Sequence, residues 1–476
     1  MRQKLIGTAL LALMIAMVSC ARRSSDGPDD TCDPAAPECS EGLVCDLVED
    51  GDPRCVIPVI IQGTVLDLAT GLGIEGALVQ AVDVNGAALG TSAATDAEGA
   101  YTLTVPALRD EEGTPVDGSF TLRVQAALYQ EFPTAIRPAL PLDATTATST
   151  EDGWVIENPL TTVGLIALLG DTSQLGSIAG DLDSDPDAGI LVIAETGAAA
   201  YTGFSDSDGH YVIFNVPPGQ YTVKGYFAGV QLNSSIATVA AAEAVEGVDL
   251  TEIDAPLNTV SGNVQIVNAP GGSLTSVILA VESTFIESAA RGTAPPGLRV
   301  GDVSGAFTIT GVPDGRYVVL AAFENDFLVR DPDENISGTQ IIHIQVPDPT
   351  TGNAVTITEG FKITEALAVV APGADGPQEV FTLTPTLEWQ DDSSEDGYII
   401  RVFDAFGTEL WNDEIAGVSG SATVTHAYAG PPLQVGMFYQ FRVWSFREPG
   451  GGDRSNISAT EDLKGVYFYL GATGGT

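Results

Sequence analysis

The sequence predicts an all-β protein, with tandem small β-sandwich domains following a disulfide-rich N-terminal module. Three observations carry this. First, one strand-turn-strand phrase recurs. From Gly209 its landmarks are Tyr211, Ile213, Pro217, Gly219, Tyr221 and Val223; from Gly305 they are Phe307, Ile309, Pro313, Gly315, Tyr317 and Val319, at identical offsets. A third copy starts at Gly99 with Tyr101 and Leu103, reaches Pro106, and is then interrupted by Arg109 to Asp117. Second, from Val59 onward short alternating runs rich in Val, Ile, Thr, Tyr and Phe are broken by Gly, Pro, Asn and Asp, the pattern of half-buried strands. Third, no convincing amphipathic helix occurs. The Ala-rich stretch Ala237 to Val248 has helical propensity where a strand is expected, and its state stays open.

Residues 1–19 read as an export signal: Arg2 and Lys4 precede the apolar run Leu5 to Val18, which is shorter than the ~20 residues a membrane span needs. The run ends Met17-Val18-Ser19-Cys20, which resembles the lipobox of bacterial lipoproteins, although Leu is usual where Met17 stands. The resemblance implies cleavage before Cys20, acylation of Cys20 and, with Ala21 next, sorting to the bacterial outer membrane. The alternative is an ordinary secretory leader with an incidental Cys. Residues 20–31, rich in Ser, Asp, Gly and Pro, read as a disordered tether.

Cys32, Cys39, Cys45 and Cys55 fill residues 32–57 with the spacing C-x6-C-x5-C-x9-C. An even number in an exported chain points to two disulfides, with three connectivities open. The segment has few apolar residues, so covalent staples must hold it. Zinc is the rival reading, and the absence of a C-x2-C pair or a nearby His argues against it.

Three modules follow, at 58–170, 171–256 and 257–365. Each opens on a strand containing Gly63, Gly180 or Gly262 and continues into a second apolar strand. The acidic turns Asp96-Ala-Glu-Gly99, Asp206-Ser-Asp-Gly209 and Asp302-Val-Ser-Gly305 come next, where Asp is expected to bond the turn's own backbone and Gly to take positive φ. Pro217-Pro-Gly219 and Pro313-Asp-Gly315 read as further hairpins. The pattern resembles the carboxypeptidase regulatory-like family: Gly180, Asp206, Gly209, Tyr211, Pro217, Gly219 and Tyr221 match its signature, as do Gly262, Asp302, Gly305, Phe307, Pro313, Gly315 and Tyr317. The resemblance implies seven-strand prealbumin-like sandwiches of a carbohydrate-binding-like fold group. Residues 366–476 resemble a fibronectin type III domain, with Trp389 as core tryptophan and Tyr439 as the corner tyrosine whose hydroxyl bonds upstream backbone.

The chain has 64 acidic and 19 basic residues, a net charge of -45, and only four lysines, which argues against nucleic acid as a partner. The histidines His210, His343 and His426 form no H-x-x-E or H-E-x-x-H motif, and neither a G-x-S-x-G elbow nor a P-loop occurs. No catalytic residue is promoted. Asp181, Asp183, Asp185 and Asp187 occupy the first alternate positions of a calcium loop, but Pro186 and Val192 stand where an EF-hand needs Gly and Glu. Calcium is the one candidate cofactor, against the alternative of a solvated acidic edge. Tyr201, Phe204, Tyr221 and Tyr226 could stack on sugars; strand alternation places Tyr221 and Tyr226 in or near the core. The expectation is a non-catalytic lipoprotein, held to the membrane by a lipid on Cys20. Its modules hold the C-terminal domain away from the anchor and present a surface to carbohydrate or another protein. A purely structural spacer is the alternative.

Overall fold

The computed structural model describes residues 31–471, apart from 34–38, 41, 83–87, 135–136, 138, 140–141, 152, 198, 268–274, 286–291, 324–341, 359–360, 365–366, 375–376, 393, 405–408, 419, 421, 449–453 and 461–463. The export signal and Cys20 lie outside the described residues. Among those described, secondary structure is strand with three short 3-10 turns, and no helix is long and apolar enough to cross a membrane.

The cysteine module is a hairpin, Val44–Asp46 against Arg54–Val56, closed by Cys32–Cys45 and Cys39–Cys55. Each following module is a two-sheet sandwich. In the second, Gly176–Asp183 pairs with His210–Val216 on one side, and on the other runs parallel to Ala244–Val245 and then Leu250–Thr251. Facing it, Leu191–Glu195 lies between Ala200–Phe204 and Gly219–Tyr226, with Ser234–Val239 at the edge. Seven strands are present, the last split in two. The third module repeats this around Asn258–Val267 and Thr275–Val281, its split strand being Ala354–Thr356 and Phe361–Thr364. In the first, Val59–Asp67 pairs with Ala100–Val105 and with the split pair Trp154–Ile156 and Thr162–Leu165. The Ala-rich stretch resolves as the end of strand Ser234–Val239, a turn, and the short strand Ala244–Val245.

The Pro-x-Gly segments are not hairpins. His210–Val216 and Gly219–Tyr226 belong to opposite sheets, as do Ala306–Val312 and Gly315–Phe323, so Pro217-Pro-Gly219 and Pro313-Asp-Gly315 carry the chain across the sandwich. The reason is packing: Tyr211 and Tyr221 both point inward, and two strands with the same inward residues can face each other across a core as well as pair side by side.

The modules are stacked. Strand Leu191–Glu195 is apolar on both faces: Val192 and Ala194 fill its own core, while Leu191 and Ile193 join the core of the third module, with the Tyr226 ring edge-on to Tyr317. Backbone bonds reinforce this seam, Gly229 N–H to Gly311 O (2.8 Å) and Ala228 N–H to Pro296 O (3.1 Å). Between the first and second modules, buried Gln80 donates to Ser205 O (2.9 Å), the Arg123 guanidinium lies 3.3 Å from the Phe204 ring centroid, and Asn215 donates to Ala126 O and Tyr129 O while accepting from Leu128 N–H.

The C-terminal sandwich packs back on the first module. Met437 and Phe438 meet Leu68 and Ile166, and the Arg137 guanidinium lies between the rings of Phe438 (4.4 Å) and Phe132 (5.0 Å) while donating to Gly164 O. Strand patterns report which face is apolar but not which module covers it. Trp389 is fully buried, edge-on to Tyr398, and the Tyr439 hydroxyl accepts from Gln434 N–H (2.7 Å), as the corner position requires.

The interruption Arg109 to Asp117 in the first module is a docking hairpin. Arg109 is fully buried, donates to Asp46 (2.8 Å), Ile57 O (3.0 Å) and Gly113 O (3.1 Å), and its backbone bonds Leu47 and Glu49. Burial pushes the Asp46 carboxyl up, against the opposing pull of Arg109. The insertion thus ties the cysteine module to the first sandwich.

Candidate functional site

The repeated phrase builds one device in the first two modules and a variant of it in the third. At Gly63 and Gly180, an added Cβ would overlap the carbonyl oxygens of Thr161 and Val248, which sit at the break in the split edge strand. Glycine lets that strand kink inward, and the kinked carbonyl then accepts from the buried tyrosine of the same phrase, Tyr101 to Thr161 O (2.7 Å) and Tyr211 to Val248 O. Burial pushes both phenols upward, so they remain protonated donors. In the third module Phe307 replaces the tyrosine, and its ring lies over Gly262 instead. Further along, Tyr221 and Tyr317 donate to Pro217 O (2.8 Å) and Pro313 O (2.9 Å), lashing each crossing to the strand it leads into. The acidic turns close as expected in the first two modules: Asp96 accepts from Glu98 and Ala100, Asp206 from Asp208 and His210, and Gly99 and Gly209 take positive φ. Gly305 does not.

The strand break leaves a groove on the outer face of the first module. It has a volume of about 570 Å³ and is lined by Gln62, Thr64, Thr102, Glu157, Asn158 and Thr162 among others. Its lining carries hydroxyl and amide groups and one carboxylate, Glu157.

The aromatics singled out from sequence do not form a platform. Tyr221 and Tyr226 are buried, Tyr201 is edge-on to Tyr221, and Phe204 is covered by Arg123 at the module seam. The sequence reading passed over a different aromatic pair. Trp411, on the C-terminal sandwich, stacks on His426 (5.8 Å, planes 6° apart), and His426 is fixed by Asp413 (2.9 Å), whose carboxyl is held low by that bond. The Tyr428 ring, its phenol pushed up to about 12 by burial, braces Trp411 edge-on. The signal was a Trp just before the polar run Asn412 to Glu414 in strand Glu409–Ala416.

The three histidines lie in three different modules, each against a carboxylate: His210 on Asp181, His343 on Glu282 and His426 on Asp413. They are not brought together. Asp181 and Asp183 share the exposed face of one strand, Asp185 sits in the following turn near Glu252, and the Asp187 carbonyl accepts from Ser205. Among the described residues, the only three-residue set of His, Cys, Asp or Glu ligand atoms within 4.8 Å of one another is Cys32, Cys39 and Cys55; the four aspartates form no such set.

No family model matches the chain, and no curated protein does. Solved structures give distant likenesses. The Bacillus anthracis TIE protein is 10% identical, with 84% of this chain and 68% of that one covered and a TM-score of 0.15. A streptococcal ancillary pilin is 11% identical (63% and 98% covered, TM-score 0.16), and BcpA, the major pilin subunit of Bacillus cereus, is 12% identical (64% and 99%, TM-score 0.16). At TM-scores this low the likeness assigns neither a relative nor an activity.

Proposed function

We propose that this chain is a non-catalytic cell-envelope protein, lipid-anchored through Cys20 at the bacterial outer membrane, whose stacked sandwiches form a rigid body displaying a binding surface for a neutral carbohydrate or another envelope protein. The observation that carries this is the stacking itself. Strand Leu191–Glu195 spends its outer face on the next module, an arrangement that suits a stiff scaffold with recognition confined to outward-facing positions. The first-module groove, and the half-buried Trp411–His426 stack at the rim of the C-terminal core, have chemistry that fits a sugar. The spacer reading is favoured by the extent of that stacking, because a strut needs stiffness and no ligand.

A glycan array probed with the mature chain separates the two. Binding to a defined neutral glycan, lost in Trp411→Ala or in Thr102→Lys within the groove, supports display; a blank array leaves protein contact or a strut. Fatty-acid labelling tests the anchor: label absent from Cys20→Ala is expected, and equal label on both forms contradicts it.

A further inference from the structure

Among the described residues, the three most exposed large apolar side chains are Leu169 (76%), Val435 (69%) and Leu72 (68%). All three flank the seam between the first and C-terminal sandwiches, and short contacts hold their loops together. Leu68, which leads into the Leu72 loop, packs with Ile166, Met437 and Phe438. Leu168 N–H donates to Leu128 O (2.9 Å), Leu470 N–H donates to Val380 O (3.0 Å), and a Cβ on Gly471 would touch Val435. Leu128, Phe381 and Leu470 are exposed here too. All six side chains sit in connections between strands, so this end of the molecule is a set of loop tips rather than a sheet face. Leu128 takes a φ of 69°, an unusual state for a bulky residue. Asn215 of the second sandwich pins it there, its amide oxygen accepting from Leu128 N–H (2.6 Å).

The segments that build this end carry no Asp, Glu, Lys or Arg: 68–74, 124–130, 158–170, 380–387, 427–441 and 465–476, in a chain with 64 acidic residues. Acids stand at its margin, at Asp67, Glu131, Asp171 and Glu379. Asp67 is turned back on its own loop, accepting from Ala69 N–H, Thr70 N–H and the Tyr129 hydroxyl. We propose that this charge-free end is a membrane-contact surface, which rests its aliphatic loop tips on a neutral, zwitterionic lipid surface. Exposed apolar clusters of this kind mark contact with a protein or a membrane. A specific protein interface is built around tryptophan, tyrosine and arginine anchors in packed pockets. Here the nearby Arg137 is buried, and the tips offer single aliphatic groups among Thr, Gly and Pro, which suit entry between lipid headgroups. The net charge of -45 and the marginal acids select neutral headgroups over anionic ones. The reach of the contact in the cell rests on the lipid proposed for Cys20. The cysteine module docks at the start of strand Val59–Asp67, and the Leu72 loop leaves its far end, about 30 Å away. Twelve residues separate Cys20 from Cys32, a span of at most about 40 Å. That length lets Cys20 and the loop tips meet one bilayer surface.

The test uses the mature chain with Cys20→Ser, which carries no acyl group, so its outcome is independent of whether Cys20 is lipidated. The chain is floated with phosphatidylcholine vesicles and with vesicles in which phosphatidylglycerol replaces half of the lipid. Binding to phosphatidylcholine is expected, unaffected by 1 M NaCl and weaker on the anionic vesicles. Leu72→Asp combined with Val435→Asp should weaken it at least tenfold, whereas Ile236→Asp, an equally exposed apolar site on the second sandwich, should leave it unchanged. An environment-sensitive dye on Val435→Cys should shift to the blue on the vesicles. A chain that stays in solution with phosphatidylcholine overturns the proposal, as does a double variant that binds like wild type or a dye that does not respond. Concentration-dependent dimerisation without vesicle binding, abolished by the double variant, also overturns it and assigns the surface to a second copy of the chain.

Discussion

At the level of single residues, the repeat is a set of coupled choices. Gly180 has no side chain because the Val248 carbonyl occupies that space, and the carbonyl is there to receive Tyr211. Tyr211→Phe removes the hydroxyl and leaves a buried carbonyl unpaired, so thermal or urea denaturation should show a loss of about 1–3 kcal/mol. Gly180→Ala must push the edge strand aside and should cost about as much. The same Tyr-to-Phe exchange is already present at Phe307, where no hydroxyl partner is lost. Arg109→Ala is the harsher change. It strands the buried Asp46 carboxylate, for which a loss of about 3–5 kcal/mol is expected, read as release of the cysteine module to limited proteolysis. Glu282 offers a pH-dependent test. The bond from Arg316, followed by that from His343, holds its carboxyl below the usual glutamate range. Its contribution is present above that range and is lost as pH falls through the lowered folded-state value, so Glu282→Gln should flatten the acid limb of the stability profile.

At the level of elements, the strands were legible in the sequence because their apolar residues alternate and their turns carry Asp, Pro and Gly. Alternation placed Tyr221 and Tyr226 in or near the core, whereas the roles of Trp389 and Tyr439 came from the fibronectin type III resemblance; all four are buried. The Pro-x-Gly crossings were misread as hairpins, because a strand facing its neighbour across a core has the same inward pattern as one paired beside it. The stacking seams were written in the sequence as well, in the run Ile190-Leu-Val-Ile-Ala194, which is apolar at consecutive positions and therefore buried on both faces. Arg109 was marked only as the start of an insertion; nothing local announces that a charged residue in a loop will be buried against a partner 63 residues away. Trp411 meets His426 across two sheets, and the groove gathers two neighbouring strands and the break in the split strand, juxtapositions that no single segment records. Ile193→Asp tests the seam. It places a charge between modules rather than inside one, so the second and third modules should melt separately and the junction near Ala255 should become a protease site.

At the level of the whole molecule, the sandwiches form one body rather than beads on a string. Apolar packing with backbone hydrogen bonds joins the second and third sandwiches, side-chain amide bonds and the Arg123–Phe204 contact join the first and second, and the C-terminal sandwich returns to the first through Arg137, Phe438, Met437, Leu68 and Ile166. Burial pushes the Arg137 guanidinium down to about 10, still far above neutrality, so its charge persists and the contact with Phe438 survives at physiological pH. Arg137→Ala combined with Phe438→Ala should free the C-terminal sandwich without unfolding it. The most direct test of the account is small-angle X-ray scattering of the mature chain beside this double variant. The account predicts the scattering of a single compact multi-domain particle for wild type, and a larger radius of gyration with a longer maximum dimension for the variant. A wild-type profile that already shows an extended, flexible string, unchanged by the double substitution, would contradict it.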